Sequence, residues 1–77
     1  MNIEAKIKEI IAEHLNLQVA DINDESGLGI TEGWDSVKSL NIVLDIEKNL
    51  NIRFDMDDFE DLTSFKNIHK KVSDLLA

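Results

Sequence analysis

Seventy-seven residues make one domain, expected over 1–77, with 43% hydrophobic residues drawn mainly from Ile, Leu and Val. Sixteen acidic residues against eight basic ones give a formal charge of −8, which argues against nucleic acid or anionic lipid as partners and favours Lys- or Arg-rich surfaces. The absence of cysteine excludes disulfides and thiolate zinc sites, and with no apolar run long enough for a signal peptide or a membrane span, the cytoplasm is the expected compartment.

From Asn2 to about Asn16 the residues Ile3, Ile7, Ile10, Ile11 and Leu15 recur at helical spacing, with Glu4, Lys8, Glu9 and Glu13 elsewhere on the circumference. They predict a first amphipathic helix. Leu17 to Trp34 has no sustained period and holds all three glycines, so it reads as a long loop with Val19, Ile22, Leu28 and Ile30 as apolar anchors. A connection of that length has a function or short turns of its own.

Asp35 can cap a second helix that runs to about Leu50. Its apolar residues Val37, Leu40, Ile42, Val43, Leu44, Ile46 and Leu50 span a wide arc, as expected of a central helix touching several neighbours. Lys38, Asn41, Asp45, Lys48 and Asn49 cluster on the remaining side. Asp55, with Asp58 three residues on, can cap a short helical turn ending near Asp61. Thr63 or Ser64 then caps a last helix with the stripe Phe65, Ile68, Val72, Leu75 and Leu76. The expected fold is all-α, a small four-helix bundle with three longer helices, one short helix and a long first loop.

The candidate site is Gly33-Trp34-Asp35-Ser36, where a glycine and a large aromatic lead directly into a capped helix start. At the first helical position, Ser36 is placed to carry a phosphate ester, because free N–H groups and the helix dipole stabilise a phosphodiester there. The only histidines, His14 and His69, fall on other helices, so nothing nearby activates the hydroxyl. Ser36 reads as an acceptor modified by another enzyme, and no catalytic residue is expected. Both histidines read as surface or packing residues. Trp34 reads as a packing residue that fixes the angle at which Ser36 is presented.

The stretch Gly33-Trp34-Asp35-Ser36-Val37-Lys38-Ser39-Leu40 resembles the phosphopantetheine attachment motif of acyl carrier proteins, in which Asp-Ser-Leu begins the second helix. The resemblance continues through Ile46-Glu47-Lys48-Asn49-Leu50-Asn51-Ile52-Arg53-Phe54, the acidic short helix and Leu62-Thr63-Ser64-Phe65, and spans essentially the whole chain. It implies that a phosphopantetheinyl transferase, using magnesium, moves 4′-phosphopantetheine from coenzyme A to Ser36, beside Asp35. The arm's thiol would then carry an acyl or aminoacyl group as a thioester between loading and transferring enzymes. A monomer is expected of such a carrier.

Two departures stand out. Val37 replaces the usual leucine, and Lys38, Asn41 and Lys48 occupy positions where fatty-acid carriers are typically acidic. A lysine in the first turn of a helix is itself unfavourable by a few tenths of a kcal/mol up to ~1. The Trp-Asp-Ser form with Ile52-Arg53-Phe54 resembles stand-alone carriers of specialised pathways more than those of primary fatty-acid synthesis. Val37, Leu40 and Leu44 are the candidates for the apolar part of a partner surface, and Lys38, Asn41 and Lys48 would tune partner choice.

Two other classes compete. An unmodified helical adaptor would use the same apolar surface. A calcium-binding loop is suggested by Asp21, Asn23, Glu25 and Glu32 at positions 1, 3, 5 and 12 of an EF-hand-like spacing, with Leu28 at position 8. Ser26 stands where that loop needs glycine, and Glu25 is longer than the usual ligand. No metal site is therefore expected.

Overall fold

The computed structural model describes residues 2–76. Helix α1 spans Ile3–Leu15, α2 Ser36–Leu50 and α3 Phe65–Leu76, with 3₁₀ turns at Val19–Asp21 and Met56–Glu60. The expected short helix is thus a 3₁₀ turn, and the long loop holds a second one. Among the described residues there is no strand, and no helix is long and apolar enough to cross a membrane.

Each helix starts where a side chain can satisfy a free N–H. Asn2 accepts from Ala5 at 3.1 Å, Asp35 from Lys38 at 2.8 Å and the Ser64 hydroxyl from Asn67 at 3.2 Å. Of Thr63 and Ser64, it is Ser64 that caps α3. Helices α1 and α2 end alike, on Asn16 and Asn51 in the left-handed region (φ 57° and 54°). The following N–H groups, of Leu17 and Ile52, reach back to Ala12 and Glu47 at 2.9 and 3.1 Å, and both side chains pack on the core. This is the geometry in which a left-handed residue stops a helix and folds the chain back over it. Asp58 supports the second 3₁₀ turn by accepting the Asp55 N–H at 3.0 Å, and it pairs with Lys71 at 3.3 Å.

The core is mainly aliphatic, with three buried aromatics. Ile7 and Ile11 of α1, Ile42 and Ile46 of α2, and Phe65, Ile68 and Val72 of α3 are fully buried, joined by Ile22, Leu62, Phe54 and Trp34. The wide apolar arc of α2 does not mean that α2 is central. Helix α1 packs on both α2 and α3, which share only sparse direct contact with each other. Only the Ile42–Val43–Ile46 side of α2 faces inward; Val37, Leu40 and Leu44 are exposed. On α3 the buried stripe stops at Val72; Leu75 and Leu76 are exposed.

Ile22 alone of the four expected apolar anchors holds the long loop; Val19, Leu28 and Ile30 are exposed. Backbone pairing takes their place. The Leu28 N–H donates to Thr63 at 2.8 Å and the Phe65 N–H to Ser26 at 3.0 Å, an isolated antiparallel bridge centred on Gly27 and Ser64. A Cβ at Gly27 would lie 2.9 Å from the Thr63 carbonyl oxygen, so glycine permits this close approach.

Candidate functional site

The bridge brings the loop's far end against the start of α3, and the chain then returns to α2 through Trp34. Trp34 is 3% exposed, and its backbone is held on both sides, its N–H donating to Thr31 at 3.0 Å and its carbonyl accepting from Gly29 at 3.3 Å. Gly33, at φ +85°, supplies the left-handed turn into it. Trp34 therefore packs, as expected, and the residues after it are presented from a fixed point.

Asp35 caps α2 through Oδ1, and its carbonyl accepts the Ser39 N–H at 2.8 Å. Ser36 follows as the first helical residue and is exposed. Among the described residues no hydrogen bond uses the N–H groups of Ser36 and Val37, which leaves the positive end of the helix open beside the hydroxyl.

Ser36 also forms part of the wall of a cleft of about 230 Å³ whose other lining residues are Leu28, Ser39, Leu40, Val43, Phe59 and Thr63. Helical spacing accounts for the α2 side: Ser39 and Leu40 lie three and four residues after Ser36, and Val43 four and three after them, on one face. Ser39 is buried and donates its hydroxyl to the Leu62 carbonyl at 3.3 Å. Leu28, Phe59 and Thr63 come from the loop, the second 3₁₀ turn and the approach to α3. Helical spacing from Ser36 could have found Val43; Leu28 and Thr63 are brought together by the backbone bridge, and Phe59 stands on the second 3₁₀ turn.

Of the residues expected to form a partner surface, Leu40 lines the cleft, and Val37 and Leu44 are exposed on the outer side of α2. Asn41 and Lys48 are exposed there too, and Lys38 is half-buried on the flank. The structure does not gather a histidine near Ser36. His14 Nε2 lies 2.8 Å from Asp45 Oδ2, tying α1 to α2, while His69 stacks on Phe65 with ring centroids 5.6 Å apart.

The EF-hand-like spacing does not form a helix–loop–helix. Residues 21–32 are separated from both α1 and α2. Asp21 accepts the Gln18 N–H at 3.0 Å, and Asn23 accepts that of Glu25 at 2.8 Å. Among the described residues no three His, Cys, Asp or Glu side chains are grouped so as to hold a metal ion.

A family model, the phosphopantetheine attachment site, matches residues 5–70, a span that takes in Ser36, the cleft, most of α1, all of α2 and the first half of α3. Domains of this kind bear 4′-phosphopantetheine covalently, are not enzymes, and work by meeting the enzymes that modify and load them. The match covers well over half of the sequence, and the chain belongs to the phosphopantetheine attachment family of carrier domains.

Proposed function

We propose that Ser36 bears the 4′-phosphopantetheine arm and that the protein, a single monomeric domain of the cytoplasm, presents an acyl or aminoacyl thioester to enzymes of a specialised biosynthetic pathway. The observation that carries this reading is the position of Ser36: exposed, first in a capped helix, and on the wall of an apolar cleft. The residues around it fit the group. The open N–H groups of Ser36 and Val37 suit a phosphodiester on the serine oxygen, and Asp35, committed to the Lys38 N–H, holds the helix start in place. When bound, the arm supplies a terminal thiol that holds cargo as a thioester. Leu28, Leu40, Val43 and Phe59 offer apolar contact to whatever lies along the cleft. Lys38, Asn41 and Lys48, where fatty-acid carriers are typically acidic, support a specialised pathway over primary fatty-acid synthesis.

Intact mass after incubation with coenzyme A, magnesium and a broad-specificity phosphopantetheinyl transferase tests the reading. The expected result is gain of one phosphopantetheine by the wild type and none by Ser36→Ala. Equal gain by the variant would move the site elsewhere. No gain by folded wild type with several transferases would favour an unmodified adaptor.

A further inference from the structure

The cleft beside Ser36 is small, and the core next to it is full. Its volume of about 230 Å³ falls below the ~300–1,000 Å³ of pockets that enclose a drug-sized molecule. At the ~30 Å³ that a water occupies in the liquid, it holds about eight non-hydrogen atoms. Ser39 and Val43, its most buried lining residues, are 7% and 2% exposed. The Ser39 hydroxyl ties α2 to the Leu62 carbonyl at 3.3 Å, and Ile42, Ile46 and Ile68 are fully buried in the adjoining core. A long alkyl chain could go deeper only by parting that tie and those packed side chains.

The lining also holds polar groups that the fold leaves unused. Thr63 gives its carbonyl to the Leu28 N–H at 2.8 Å, yet among the described residues neither its own N–H nor its hydroxyl makes a hydrogen bond. Trp34 Nε1 is the only fully buried side-chain polar atom without a partner among those residues. The Thr63 hydroxyl is therefore reachable, on a half-buried residue that lines the cleft. Ser39, donating to Leu62, keeps lone pairs that can accept. A plain alkyl group lying there would cut Thr63 off from water and return no hydrogen bond. A hydroxyl both donates and accepts, so it can serve the Thr63 hydroxyl and N–H alike, whereas an ammonium only donates.

We infer that the cleft selects a short hydroxyacyl cargo, with Thr63 as the residue that reads the hydroxyl and the Ser39–Leu62 tie as the limit on chain length. The inference deepens the proposed function and rests on Ser36 as the attachment site, since the cleft begins at that serine and follows α2 for about 10 Å to Val43. Leu40, Val43 and Phe59 give the few carbons of such a cargo their apolar contact. Long acyl chains stay outside.

The test uses the full chain bearing arms installed by the transferase from butyryl-, β-hydroxybutyryl-, β-aminobutyryl- or dodecanoyl-coenzyme A, with wild type beside Thr63→Val and Thr63→Ser. Amide NMR shifts of Val43 and Thr63 give the ratio of cleft-bound to free cargo. In wild type and Thr63→Ser the ratio for β-hydroxybutyryl is expected to exceed that for butyryl about fivefold, the scale of one neutral hydrogen bond. In Thr63→Val the two should be equal. β-Aminobutyryl should follow butyryl, and dodecanoyl should shift these amides no more than the unloaded arm does. Equal ratios for butyryl and β-hydroxybutyryl in wild type, an equal preference for β-aminobutyryl, a preference that survives in folded Thr63→Val, or shifts through Ile46 and Ile68 on dodecanoyl loading would each overturn the inference. Failure of Ser36 to accept any of the arms would instead overturn the attachment reading beneath it.

Discussion

At Asp35 one carboxylate oxygen decides how Ser36 is held. It accepts the Lys38 N–H at 2.8 Å, and among the described residues no other side chain caps the start of α2. Asp35→Ala is expected to lower stability by about 1 kcal/mol, whereas Asp35→Asn keeps most of it, since an amide oxygen caps nearly as well. Urea unfolding of the three proteins checks this. Local chemistry made this residue legible in advance: an Asp before an apolar-periodic run has few other uses. Ser39 was not legible in the same way. A serine on a helix ordinarily faces water, and only the meeting of α2 with Leu62 turns this one inward to donate to a carbonyl. The same holds for Asp45, which reads as one of several polar residues on α2 until His14 is placed beside it.

At the scale of elements, the three helices could be read from periodicity and caps because both are local properties of the chain. The loop could not. Its expected anchors were apolar side chains, yet Val19, Leu28 and Ile30 face outward, and the attachment is a pair of backbone hydrogen bonds to the start of α3. Backbone donors carry no residue-type signature, so sequence gave only Gly27 as a trace of the close approach. Gly27→Ala would force its Cβ against the Thr63 carbonyl and is expected to cost about 1–3 kcal/mol, as overpacking does. Hydrogen exchange at the Leu28 and Phe65 amides should quicken in that variant more than exchange in α1. Because Leu28 and Thr63 both line the cleft, the same change should loosen the wall facing Ser36. The role of α2 was misjudged for a related reason: an apolar arc records what can be buried, and here Val37, Leu40 and Leu44 stay exposed.

For the whole molecule, the margin is small. A domain of this size has a total stability of roughly 4–12 kcal/mol, and α1 is the helix that joins the other two. Ile11, fully buried on α1, is therefore expected to be costly to truncate: Ile11→Ala should remove about 2–5 kcal/mol and lower the urea midpoint well below that of the wild type, followed by far-ultraviolet circular dichroism. The conservative Ile11→Val, at about 0.5–1.5 kcal/mol, should stay folded. One further property belongs to the molecule as a whole. Its single tryptophan is Trp34, buried, with no hydrogen-bond partner for the indole Nε1 among the described residues, and only two residues from Ser36. All indole fluorescence thus originates from one buried position between the loop and α2, so its emission is expected to be blue-shifted when the loop is seated and to move to the red when water reaches it. The unlabelled protein carries its own optical gauge of what happens at the neighbouring serine.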